Sequence, residues 1–274
     1  MTSERTADDN VRRIALVVAY EGTDYAGFQL QAAVPTIQSE LETAIGKLTG
    51  TPTRVRGASR TDSGAHASGQ VVDFSTHSKH GPSVFRAGLN HYLPDAVRVL
   101  AASDVPAKFH SRRSAARRDY RYSILNRAIE SPLLRRTHCL ESTPLDVGAM
   151  QRAAASLLGI RDFRQIATGH PVDQSAVRLV HQWDVNRRSD TSDVITIDCA
   201  ANGFLRHQIR RANAVLVEIG KGRLPVHSMA EALAGRTLNQ GQITTLPAKG
   251  LCLQSVHYPQ YDHLLKVANY HETH

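Results

Sequence analysis

The sequence predicts an α+β fold: two ferredoxin-like (split βαβ) halves sharing a mostly antiparallel central sheet flanked by helices. Three observations predict it. The order of elements up to residue 106 reads β-α-β-β-α-β. A second pass of similar type begins near Ala107. No low-complexity linker separates the two passes, which suits one continuous sheet. The expected division is a frayed start at residues 1–11, halves at 12–106 and 107–265, and a tail at 266–274.

RIALVVAY (Arg13–Tyr20) is a short β-branched apolar run, expected to be a buried strand. EGTDYAGFQLQ follows as a glycine-punctuated loop. Thr36 is the expected N-cap of a helix whose Ile37, Leu41, Ile45 and Leu48 recur at helical spacing. PTRVRGA and QVVDFST read as strands on either side of a loop around Asp62. SVFRAGLNHYL reads as a second helix and VRVLAASDV as a strand. In the second pass RDYRYSILN is a strand, LDVGAMQRAAASLLGI a helix, and VRLVHQWDVNRR with VITIDCAANG a hairpin turning at Arg188–Ser192. FLRHQIRRANAVLVEIG is a strongly amphipathic helix, with Phe204, Leu205, Ile209, Ala212 and Leu216 inward and Gly220 near its end. MAEALAG is a shorter helix and GLCLQSVHYP a closing strand.

Composition sets the class. Of 274 residues, 41% are apolar and 21% charged, enough for a proper core and against disorder. The formal charge of +8 favours a polyanionic partner. The three cysteines, Cys139, Cys199 and Cys252, are scattered, as expected of reduced thiols in a cytoplasmic protein. MTSERTADDNVRR has no apolar core of a signal peptide, and no apolar run suits a membrane helix. The 14 histidines form no zinc-spaced motif, so no metal site is expected, and His66 reads as a hydrogen-bonding loop residue.

The positive charge is concentrated. KFHSRRSAARRDYRY (Lys108–Tyr122) carries Lys108, Arg112, Arg113, Arg117, Arg118 and Arg121 against one acid, Asp119. Arg206, Arg210 and Arg211, then Lys221 and Arg223, form a second cluster. Arginine forks match phosphates and tyrosine faces match bases. Without helix-turn-helix or zinc-finger spacing, the pattern favours RNA over DNA, with a solvated charged face as the plainer reading of each segment.

GASRTDSGAHASGQ (Gly57–Gln70) sets one carboxylate among small residues. Asp62-Ser63-Gly64-Ala65 matches the aspartic-protease signature, but such a site needs two carboxylates and the motif occurs once. A glycosidase also needs a second carboxylate, and none is nominated. A lone Asp can serve as a nucleophile if a cation keeps it ionised, and Arg60 or Arg210 could supply that cation. The plainest alternative is a turn-capping Asp. Gly57, Ala58, Gly64 and Ala65 are expected to leave room for a bulky substrate. Arg210 flanks an inward apolar stripe, where it is costly unless it meets a carboxylate, and Asp62 is a suitable partner.

These motifs together carry a resemblance. YEGTDYAGFQLQ with TIQSELETAI, GASRTDSGAHASGQVVDF, FHSRRSAARRDYRYSI, NGFLRHQIRRANAVLVEIGKG and GLCLQSVHYP occur in the order of the tRNA pseudouridine synthase A family, which the chain resembles from Arg13 to about Tyr258. The resemblance implies isomerisation of uridine to pseudouridine in the anticodon stem-loop of tRNA, around positions 38–40, with no metal or organic cofactor. It implies Asp62 as nucleophile, attacking either uracil C6 or ribose C1′. It implies Tyr120 against the base, assisting proton transfer, and Arg210 paired with Asp62. Arg60 is implied to hold the target nucleotide out of its stack. Arg117, Arg118, His66 and Gln70 are expected to join Arg60 and Tyr120 in binding substrate. A homodimer with one tRNA reaching across both subunits is implied as well. The chain departs from the family at Phe28, usually Trp, at Arg211, usually Asn, and loosely around VDQSAVRLVHQW. A catalytically silent RNA-binding protein or chaperone on the same fold is the alternative.

Overall fold

In the computed structural model the described residues are 11–190, 193–236 and 243–265. The expectations for the start of the chain, apart from Val11, and for the tail at 266–274 lie outside them.

Strand β1 (Arg12–Tyr20) lies between β3 (His66–Thr76) and β4 (Val97–Val105), antiparallel to both. Its Ile14, Leu16 and Val18 point to the helical side, where they meet Val72 and Phe74 of β3 in the main core. Helix α1 (Ile37–Thr49) starts where Thr36 accepts from Ser39 N while Ser39 Oγ accepts from Thr36 N, a reciprocal cap that satisfies two free donors. Its Leu41 and Ile45, with Phe85 and Leu89 of α2 (Pro82–Tyr92), close the core over β1 and β3. The strand expected in PTRVRGA shrinks to β2, two residues (Arg56–Gly57) against Asp73 and Val72.

The second half contains β5 (Arg117–Asn126), β6 (Cys139–Glu141), α3 (Val147–Ala154), β7 (Gly159–Asp162), β8 (Val177–Arg187), β9 (Val194–Ala201), α4 (Gln208–Gly220), α5 (Ser228–Leu233) and β10 (Leu251–His257). Helix α3 is shorter than expected. It gives way to one 3₁₀ turn through Leu157, and Gly159, at φ +81°, turns the chain into β7. Helix α4 begins at Gln208, four residues later than its apolar spacing predicts. Phe204 and Leu205 keep their inward direction in the preceding loop. Gly220 sits inside the end of α4 because a Cβ there would come 2.7 Å from Met150 Sδ on α3.

The main path through the sheet runs β4-β1-β3-β10-β5-β9-β8-β7. The final strand therefore lies at its centre, parallel to β3 and antiparallel to β5. A smaller apolar cluster backs the other face of the first half, where Phe109, Tyr258 and Tyr261 cover Ala15, Val17 and Val71. No helix among the described residues is long and apolar enough to cross a membrane.

Candidate active site

Asp62 lies in the loop between β2 and β3, and the neighbouring segments hold that loop by its backbone. Phe28 N donates to Thr61 O, and Gly64 N and Ser63 Oγ both donate to Tyr25 O. Gln70, fully buried on β3, accepts from Ser59 N at 3.2 Å and donates to Ser59 O at 2.7 Å. Tyr20 Oη bonds Thr61 Oγ1 at 2.8 Å. The loop is thus stapled from inside, which fixes the carboxylate before any ligand arrives.

The small residues of the motif have a different reason from the one expected. Ala58 and Ala65 are buried. A Cβ on Gly57 would fall 2.4 Å from the Phe28 ring, so protein rather than substrate fills that space. Gly64 has room beside it, but its φ of +79° is left-handed and strained for any side chain. Close approach is real on the facing segment: a Cβ on Gly22 would lie 2.0 Å from Ala65 O, and one on Gly27 2.8 Å from Thr61 O.

Three side chains converge on Asp62, which is partly exposed. Arg210, on the first turn of α4, donates from Nη1 to Asp62 Oδ2 at 2.8 Å and from Nε to Leu246 O at 2.7 Å. His207 brings its Nε2 to 3.8 Å from the other oxygen, Oδ1. Its backbone is left-handed, at φ +59°, shared among described non-glycine residues only with Ala33. That conformation costs about 1–2 kcal/mol and is held by the surrounding fold. Burial depresses the His207 pKa; Asp62 opposes this, and Arg210, Arg206 and Arg211 add to it. Tyr120, on β5, is buried, its hydroxyl 2.7 Å from Ser59 Oγ and its ring edge-on to Phe204. Burial, reinforced by Asp62, pushes its phenol up to about 12 despite the Ser59 bond.

The remaining expected residues divide. Arg60 is exposed beside Asp62 and has no hydrogen-bond or ion-pair partner among the described residues. Arg118 is buried, and its guanidinium donates to the carbonyls of Ala58, Arg112, Ala115 and Asn202. His66 is buried too. Its Nδ1 accepts from Gly22 N, so Nε2 carries the proton and donates toward Arg136 O and Lys249 O. With Gln70, these two are spent on backbone, and the structure does not open them to a ligand. Arg117 alternates with Arg118 and Tyr120 along β5, so it lies on the opposite face, paired with Asp119 at 2.5 Å.

The basic clusters thin out in the same way. Arg211 is buried with Nε on Ile166 O, Arg121 pairs with Asp198, and Lys221 pairs with Glu141 and Glu218. Lys108, Arg112, Arg113 and Arg206 stay exposed. Among the described residues, no three His, Cys, Asp or Glu side chains gather to hold a metal ion.

Comparison with known proteins gives this geometry a family. A family model described as tRNA pseudouridine synthase matches residues 16–112 and 153–259. The chain belongs to the tRNA pseudouridine synthase family. It is by that membership an enzyme of the isomerase class. A protein from Roseiflexus castenholzii named tRNA pseudouridine synthase A is 41% identical over 255 residues, covering 91% of this chain and 92% of that one. Proteins of the same name from Myxococcus xanthus and Geobacter sp. strain M21 are 39% and 35% identical, covering 90% and 91% of this chain and 92% and 100% of theirs. A solved chain from a Cbf5-Nop10-Gar1 complex aligns with a TM-score of 0.35 at 10% identity, over 88% of this chain and 49% of that one, a likeness too distant to add to the assignment.

Within this synthase the matched segments contain Asp62 and Arg210, while Tyr120 lies between them. Sequence reasoning missed His207, and with it Ser59 and Tyr20. The signal for His207 was its place in FLRHQIR, one residue ahead of an amphipathic helix that carries the partner of Asp62.

Proposed function

We propose that the protein isomerises uridine to pseudouridine in tRNA, in the anticodon stem-loop around positions 38–40, by attack of Asp62 on a flipped-out nucleotide. The observation that carries this reading is the asymmetric carboxylate. Arg210 holds Oδ2 at 2.8 Å, whereas Oδ1 accepts no hydrogen bond from the described residues, on a loop stapled from beneath. Such an oxygen is free to attack ribose C1′ or uracil C6. The glycosidic bond breaks, the uracil turns, C5 joins the ribose and the C5 proton leaves. Inside a stacked stem these atoms are out of reach, so the nucleotide has to leave the stack, at a few kcal/mol. Exposed Arg60 is suited to hold it out, and the Tyr120 ring to support the base. In this reading the first half (12–106) brings Asp62 and the second (107–265) Tyr120 and Arg210. A homodimer in the cytoplasm, with one tRNA reaching across both subunits, belongs to the same proposal.

The test is tritium release from tRNA labelled at uracil C5, comparing native protein with Asp62→Asn. Release by the native protein alone, with tRNA bound by both, supports the reading. No release from either, with salt-dependent binding intact, leaves a silent RNA-binding protein and a turn-capping Asp62.

A further inference from the structure

We infer that His207 is a catalytic residue of this isomerisation, the base that takes the C5 proton in its last step. The inference rests on the reading of Asp62 as nucleophile and concerns the proton transfer that the resemblance implied for Tyr120.

Geometry comes first. Asp62 Oδ1 is the oxygen left free by Arg210, and His207 Nε2 stands 3.8 Å from it. Whichever carbon Oδ1 attacks, C1′ or C6, that carbon is one bond from C5 once C5 has joined the ribose. The C5 hydrogen then lies about 2 Å from that carbon, two bonds away, within the reach of a base 3.8 Å from Oδ1. The electrons balance by either route. The C5–H pair becomes the C5=C6 double bond, and the proton passes to Nε2. By the C1′ route the pair displaced from C6 goes to N1; by the C6 route it returns to Asp62 as the departing carboxylate; in both N1, freed of the ribose, takes a proton from water. The imidazolium then gives its proton to solvent.

The other candidate is poorly suited. The Tyr120 hydroxyl is bonded to Ser59 and buried, and with its phenol near 12 only roughly one molecule in 10⁵ is a phenolate at pH 7. His207 is partly exposed, and its depressed pKa leaves its lone pair free at neutral pH. The charged groups acting on the ring are Asp62, Arg210, Arg206 and Arg211. The side chain has no capping role: His207 precedes α4, yet makes no side-chain bond to the helix. A left-handed backbone at a site, on a residue with no structural bond to make, is where strain points to function.

The test uses His207→Gly, which suits φ +59° and leaves a space the size of imidazole, and His207→Asn, which tolerates the same backbone. Each is assayed on tRNA tritiated at C5 and on tRNA carrying 5-fluorouridine, whose C5 has no proton to lose. Both variants are expected to bind tRNA and to melt as the native protein does. Tritium release should fall at least about 100-fold, the 5-fluorouridine reaction should keep its native rate, and added imidazole should restore release in His207→Gly. Release within about threefold of native overturns the inference. So does an equal loss on both substrates, which would make His207 a residue that positions Asp62. A native protein inert on both substrates overturns the isomerase reading, and this inference with it.

Discussion

Replacing Gln70 with leucine separates a loop support from a substrate contact. The side chain is fully buried, and its amide makes two bonds to Ser59, at 3.2 and 2.7 Å, with a longer one to Tyr20 at 3.4 Å. Leucine is close in volume, so packing changes little. Two bonds of about 1 kcal/mol each are lost, and the half-buried N–H and C=O of Ser59 are stranded, for a total of about 2–4 kcal/mol. In a protein of this size the thermal midpoint should drop by roughly 4–7 °C. Ser59 sits three residues before Asp62, so the carboxylate shifts with it. A displacement of about 1 Å costs on the order of 100-fold in turnover. Calorimetry and C5-tritium release at a temperature where the variant is folded read the two effects. If the thermal midpoint stays native while KM for tRNA rises, Gln70 touches substrate and the stapled-loop account is wrong.

Further expectations concern separate groups. Tyr120→Phe should cost about 1 kcal/mol of stability, the Ser59 bond, and change turnover less than about tenfold, whereas a loss near 1,000-fold would make the phenol the base. Replacing exposed Arg112 and Arg113 with alanine should reduce the slope of log affinity for tRNA against log salt by about 1.5, read by filter binding across salt concentrations. Burial raises the Asp119 pKa, but bonds from Arg117, His257 and Ser255 outweigh it and hold the carboxyl below its ordinary value. A depressed carboxyl stabilises the fold above its unfolded pKa, a contribution lost as pH falls through the native one. Urea unfolding should therefore show Asp119→Asn less stable than native at pH 7, with the gap closing below about pH 4.

The parts of the fold that were readable in the sequence are those decided locally. Thr36 announces its helix because the cap bonds lie within four residues. β1 announces itself by its β-branched run. The start of α4 was misplaced because Phe204 and Leu205 continue the helical spacing while belonging to a loop, and spacing cannot report the φ of His207. β6 and β7, at three and four residues, are too short to show a period. At the site, the Arg210–Asp62 contact was legible because a charge beside an apolar stripe needs a partner. Gln70, His66 and Arg118 were expected to bind substrate because their letters do not say whether a polar side chain faces a ligand or the backbone of a nearby loop. Arg117, expected beside Arg118 in binding substrate, lies one position along the strand and hence on the other face from Tyr120.

The strand completed last, β10, is the one that joins the two halves of the sheet. On a ribosome this imposes a timetable. The Asp62 loop and the Tyr120 strand are synthesised well over a hundred residues before Leu251–His257 can slide between β3 and β5 and bring them into register. Until then each presents an open strand edge, a hazard for mispairing. The contacts that finish the molecule are far apart in sequence and hence slow to form. The site therefore draws its two sides, the Asp62 loop and the Tyr120 strand, from strands that meet only through a segment made late in synthesis.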